Sequence, residues 1–260
     1  MARLPRLVVA GQAHLVILRA LAGTSGLFDD AADRASFAAA LREAAATEDV
    51  QVHAWALLDT EALLLATPAA PQGLGRWVQA LGRRFVATYN RHHQRTGTLW
   101  EGRFRCAVVE PGAPRLAALR WVDGHSPEPG HTSASHRAGG PRDPLLTDLP
   151  EFWQLGNTPF EREAAWRARL AEGLPALESA ALRRAALGGW AVGSDTSRPP
   201  SPPRPTAPPR RGPGAGRRRG PGPPPRRADR AAPSVPGTPS AWFDHDIGAF
   251  VMSPFTSRTA

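Results

Sequence analysis

An α+β fold, one antiparallel sheet covered by two helices in the ferredoxin-like order, is what this sequence predicts, and three observations carry the prediction. Apolar runs of strand length alternate with stretches of helical spacing over the first 110 residues. Two of those runs meet at Asp59-Thr60, as a hairpin requires. The resulting order of strand, helix, hairpin, helix, strand suits a sheet with both helices on one face, and roughly 120 residues are enough for one such core.

Each element has its own signal. "HLVIL" (His14 to Leu18) is a short apolar run suited to a buried strand. A helix is predicted from Ala31 to Thr47, with Phe37, Ala40, Leu41 and Ala44 at helical spacing and Asp29, Asp30 and Asp33 near its start, where carboxylates complement the helix dipole. "VQVHAWALLD" and "EALLLATP" are the arms of the hairpin. Gly73 to His92 is a second helix with an apolar stripe of Leu74, Trp77, Val78, Leu81, Phe85 and Tyr89. Arg105 to Glu110 reads as the closing strand and Ala113 to Asp123 as a short helix.

These elements define a first domain, residues 1–125. A Gly/Pro/Ser-rich joint, 126–144, is expected to act as a linker. A helical extension, 145–192, holds predicted helices at Pro159 to Glu172 and Leu174 to Leu187, the second ending at Gly188-Gly189. Residues 193–260 are expected to be a disordered tail, because Thr196 to Ser234 is nearly all Pro, Arg, Gly, Ala and Ser, with almost no large apolar residue.

The charge is unevenly placed. The chain carries a formal net charge of +9, and Thr196 to Ser234 alone holds ten Arg against Asp229, the whole excess. The rest is neutral overall, so the high isoelectric point says nothing about the folded part. All 32 basic residues are Arg, as a GC-rich coding sequence produces, and the tail reads either as that bias or as a polyanion-binding arm. The single cysteine, Cys106, excludes an intrachain disulfide and a Cys-rich zinc site and fits a reducing compartment. No apolar run reaches the roughly 18–20 residues of a membrane span, so a cytoplasmic location is expected.

From Arg76 to Arg105 seven arginines stand against one acid, Glu101, a local net of +6, with His92, His93, Trp100 and Phe104 interleaved. On a helix at about 100° per residue, Arg76, Arg83, Arg84 and Arg91 fall together on the side away from the apolar stripe. A charge run is often only a solvated face, but guanidinium forks with interleaved aromatics are also what phosphates and unstacked bases require. The candidate DNA contacts are Arg83, Arg84, Arg91, Arg95, Arg103 and Arg105. "GPGAGRRRG" is no phosphate loop, because it follows no strand and precedes no helix, and no Ser nucleophile elbow or Cys/His pair stands out.

"LGRRFVATYNRHHQRTGTLWEGRFR" (Leu81 to Arg105), the opening "MARLPRLV", "VHAWALL" before the hairpin and "LLATP" after it resemble the single-tyrosine HUH transposases of small insertion sequences, in the REP-associated branch. "FWQLGNTPFEREAAWRARL" and "GGWAVGS" resemble the C-terminal extension that some of these proteins carry. The resemblance implies a homodimeric ferredoxin-like nuclease acting on single-stranded or hairpin DNA. Two His flanking an apolar residue hold Mg²⁺ or Mn²⁺ in that family, and a Tyr hydroxyl attacks the phosphate.

Carried over position by position, the His pair falls on Glu61 and Leu63, around Ala62. The Tyr falls on Trp121, whose indole has no oxygen to form a phosphoester, and the metal-completing Asn on His125. Glu61 and His125 remain as a weak metal pair, set beside the plainer reading of a surface Glu near a turn and a solvated His. His53 reads as structural, Tyr89 as a core aromatic, and Asp123, His131 and His136 as loop residues without ligand spacing. Three functions stay open: a transposase-derived DNA-binding protein without cleavage, an active transposase with a substitute site, and the product of a decaying gene.

Overall fold

The structure, a computed structural model, describes residues 6–24, 26–125 and 130–193. The Arg/Pro-rich segment from Thr196 to Ser234, with its expected disorder, lies outside the described residues, as does the start of the 126–144 joint.

Strand β1 (Ala13–Arg19), helix α1 (Ala31–Glu48), strands β2 (Val50–Leu57) and β3 (Glu61–Pro68), helix α2 (Gly73–His92) and strand β4 (Arg105–Val109) follow one another as the apolar patterns predict. Asp30 caps α1 by accepting from the Ala32 amide at 2.7 Å, and Asp49, in the left-handed region at φ 51°, turns the chain straight into β2. The hairpin closes on Asp59-Thr60, where Leu58 N donates to Glu61 O at 2.8 Å. The strands form one antiparallel sheet in the order β2-β3-β1-β4, the ferredoxin-like arrangement.

Helices α3 (Ala113–Asp123), α4 (Pro150–Trp153), α5 (Pro159–Glu172) and α6 (Ala176–Gly188) complete the described chain, with a 3-10 turn at Ser133–His136. Helix α5 starts at a full capping box between Thr158 and Glu161. Helix α6 starts two residues later than its apolar spacing suggests, because Pro175 disfavours helical backbone at Leu174 and itself sits at the N-cap. The short α4 and the 3-10 turn have no periodicity to announce them.

The sheet is covered on both faces. Helices α1 and α2 bury Phe37, Leu41, Trp77, Leu81 and Phe85 against Val16, Leu64 and Ala66 on one face. On the other, residues of α3 to α6, among them Trp121, Phe152, Trp166 and Leu182, pack against Leu15, Ile17, Leu63 and Leu65. The C-terminal helices therefore close a second core layer. The unbroken apolar runs of β1 and β3 have this cause, since a strand buried on both faces has no polar side to show.

Strand β2 lies at the sheet edge and bulges at His53. Val50 and Val52 face the α1/α2 layer, whereas beyond the bulge Trp55 and Leu57 do so and Ala54 and Ala56 face the other. One extra residue thus exchanges the two faces. The edge is covered by the stretch read as a linker and by the start of the extension that follows it: Leu57 N donates to His131 O at 2.7 Å, and Thr147 N donates to Val52 O at 2.8 Å. Beneath it Arg137, fully buried, lies 3.2 Å from Asp123 and 2.9 Å from Asp148 and donates to the His53 carbonyl.

Candidate functional site

Glu61, Leu63, Trp121 and His125, the candidates carried over by resemblance in the sequence, lie between the sheet and the C-terminal helices. Glu61 opens β3 directly after the hairpin turn, opposite Arg19 on β1. It is not the exposed surface residue expected there: it is 7% exposed, because α6 covers this end of the sheet and brings Arg183 Nη2 within 2.7 Å of its Oε1. Arg19 Nε lies 3.5 Å from the same oxygen and Arg19 Nη1 3.3 Å from Glu101. Leu63, two residues on, is fully buried in the apolar layer that also holds Trp121 and Val122.

Trp121 is almost fully buried and its indole N–H donates to Ser179 Oγ on α6 at 2.8 Å. The His125 ring meets the indole edge-on, with centroids 4.6 Å apart, and its Nδ1–H donates to the Trp121 carbonyl at 3.1 Å. Burial holds His125 below its ordinary pKa; Arg183 pushes the same way, while the Trp121 carbonyl and Glu61 oppose. An open cavity of about 210 Å³ adjoins these groups, lined by Arg120, Trp121, His125, Leu170, Leu174 and Ser179.

A dication does not fit the Glu61–His125 pair. Two guanidinium groups already lie against Oε1 of the carboxylate, and a further positive charge beside them would be repelled. No chemical step through Mg²⁺ or Mn²⁺ follows from these residues. His53 is structural in the plainest sense: its Nδ1–H donates to Thr147 O at 2.7 Å and its Nε2 accepts from Thr67 Oγ1 at 2.8 Å. Tyr89 lies within the α1/α2 core layer, 5.6 Å from the Phe85 ring. Asp123, read as a loop residue, is the last residue of α3, buried and accepting from Ser133 and Arg137, and His136, in the 3-10 turn, is buried 3.5 Å from Asp148.

The candidate arginines divide between two places. Arg83, Arg84 and Arg91 stand on the outer side of α2, and Arg95 follows it with its guanidinium 5.7 Å from the Tyr89 ring. Part of this row is matched by acids of α1 that sequence distance conceals: Arg84 pairs with Glu43 at 3.0 Å and Arg76 with Glu48 at 2.8 Å. Arg105 lies opposite Ile17, in register with Ala107 and Val109, whose side chains enter the layer away from α2. Arg103 and Arg105 share a recess with Arg19 and Glu101 at the end of the sheet that carries Glu61. Arg83, Arg91, Arg103 and Arg105 are exposed, and no acid pairs with them among the described residues.

One cluster went unread in the sequence. Asp33 in the first turn of α1 meets His92 and His93 at the end of α2, with His93 Nε2 2.7 Å from Oδ2 and His92 Nδ1 3.1 Å from Oδ1. The adjacent histidines were visible. Their carboxylate lies about sixty positions away, and only the packing of α1 on α2 joins them.

The folded chain is an α+β protein with a ferredoxin-like sheet enclosed by helices on both faces. No family model and no curated protein matches it. Among solved structures it is similar, at a distance and in fold, to a REP-associated tyrosine transposase bound to a REP hairpin, with a TM-score of 0.43 and 12% identity over 58% of this chain and 96% of that one. No helix among the described residues is long and apolar enough to cross a membrane.

Proposed function

We propose that this chain is a transposase-derived DNA-binding protein that holds single-stranded or hairpin DNA without cutting it. The observation that carries the reading is the arrangement around Glu61: arginines bracket the carboxylate at 2.7 and 3.5 Å, where the family holds a metal ion. The indole of Trp121 faces Ser179 where the family has a nucleophilic hydroxyl. Arg83, Arg91, Arg103 and Arg105, exposed and unmatched by acids among the described residues, are the phosphate contacts, and Arg84 and Arg95 flank them. The fold works without a resident metal at these positions, as a homodimer or singly.

Fluorescence anisotropy on the purified full chain tests binding, with a hairpin and a random single strand of equal length at several salt concentrations. Tighter hairpin binding with a residual preference at high salt is expected. Equal binding that salt abolishes on both would leave only nonspecific charge. Incubating the same hairpin, labelled, with Mg²⁺ or Mn²⁺ tests cutting. A covalent protein–DNA adduct would establish an active enzyme with a substitute nucleophile.

A further inference from the structure

The geometry points to a transition-metal site in the helical layer: we propose that Asp33, His92 and His93 bind one divalent first-row ion of the zinc class, clamping the first turn of α1 to the end of α2. Asp33 on α1 and His92 and His93 at the end of α2 lie across the sheet from Glu61 and Trp121, but Arg91, a proposed phosphate contact, is the neighbour of His92, so metal binding is tested without DNA.

Asp33 anchors the site. Its side chain is only 3% exposed, and the two imidazoles are the side-chain partners it meets at 3.1 and 2.7 Å. No arginine pairs with it among the described residues, so the two imidazoles are the groups that face this buried carboxylate. One ligand atom from each of the three residues lies within 4.8 Å of the others. Zinc–nitrogen bonds of about 2.0–2.1 Å place tetrahedral ligand atoms roughly 3.4 Å apart, so a small turn of the rings closes the set.

The rings have that freedom. The His92 and His93 side chains are 45% and 35% exposed, and the open side of the site faces solvent, where water completes the coordination. They are also partly oriented beforehand: the His93 ring lies 4.1 Å from the Tyr89 ring and 4.6 Å from that of His92. A second carboxylate supplies an independent sign. Asp30 Oδ2 lies 3.7 Å from His92 Nε2, the nitrogen turned away from Asp33, where an outer carboxylate orients a metal-ligating histidine. Two imidazoles and one carboxylate select zinc, nickel, cobalt or copper ions over the oxygen-seeking magnesium and calcium.

The test uses the full chain stripped of metal with a chelator and without DNA. Titration calorimetry with ZnCl₂ and with MgCl₂ is read beside thermal melting in each salt. One Zn²⁺ per chain is expected, with a melting temperature raised by roughly 5 °C at hundredfold excess over Kd and no shift with Mg²⁺. Asp33→Asn and His93→Gln should each weaken Zn²⁺ binding at least tenfold, whereas His125→Gln should not. Asp33→Asn removes a buried group, so His93→Gln, at a part-exposed ring and with folding checked by circular dichroism, decides the matter. Absence of saturable Zn²⁺ binding, wild-type affinity in His93→Gln, or an equal response to Mg²⁺ would overturn the proposal.

Discussion

Lowering the pH should loosen this protein through one buried histidine. His53 sits at the bulge of β2, and burial, reinforced by Arg137 and Arg115, pushes its pKa down to about 4 against the partial opposition of the Thr147 carbonyl. An unfolded histidine titrates near 6.5. Between those values the unfolded chain carries a proton that the folded chain refuses, so stability is complete above about 6.5 and falls as pH drops toward 4. At about 1.4 kcal/mol per unit, the full effect is about 3 kcal/mol, of which roughly 2 kcal/mol is lost by pH 5. His14 and His125 are also lowered by burial and act in the same direction.

Urea unfolding at pH 7.5, 6 and 5, in chelator to keep any metal from the other histidines, measures the slope. His53→Gln keeps an amide donor for Thr147 and an acceptor for Thr67 but does not titrate, so its loss between pH 7.5 and 5 should be smaller than wild type by about 2 kcal/mol. Proton NMR of the ring gives the second readout. A His53 titrating near 6.5, or identical pH slopes in the two proteins, would refute the reasoning.

Arg137→Met should cost about 3–5 kcal/mol in urea unfolding, because it strands Asp123 and Asp148 in a buried place, and adding Asp123→Asn should recover part of the loss. Trp166→Ala should cost about 3–5 kcal/mol by the same measurement, since the ring is fully buried in the layer beneath α4 and α5, a loss that a loosely attached extension would not show. Thr158→Ala removes the capping box of α5 and should cost about 1 kcal/mol. Arg83→Ala with Arg91→Ala should weaken hairpin DNA in anisotropy and flatten the plot of log affinity against log salt by about 0.7 for each phosphate no longer neutralised; unchanged affinity would remove α2 from the interface.

The order of the first six elements was legible in the sequence because each depends on spacing along a few neighbouring residues. The stripe from Leu74 to Tyr89 and the run "HLVIL" reveal their elements before any long-range contact forms. So does the absence of hydroxyl and imidazole at Trp121 and Leu63, which is a matter of side-chain chemistry alone. The bulge at His53 was not legible, since no glycine or proline marks it and the flip of faces exists only against the partner strand β3.

What tertiary structure alone decided is which charges meet. Glu61 reads as an isolated surface acid until α6 returns over the sheet with Arg183, 122 positions later. Arg84 and Arg76 read as free until α1 sets Glu43 and Glu48 beside them, and Asp33 has no partner until α2 ends against it. Periodicity is a property of neighbours in the chain, whereas pairing is a property of neighbours in space, and Coulomb attraction acts only over the second kind of distance.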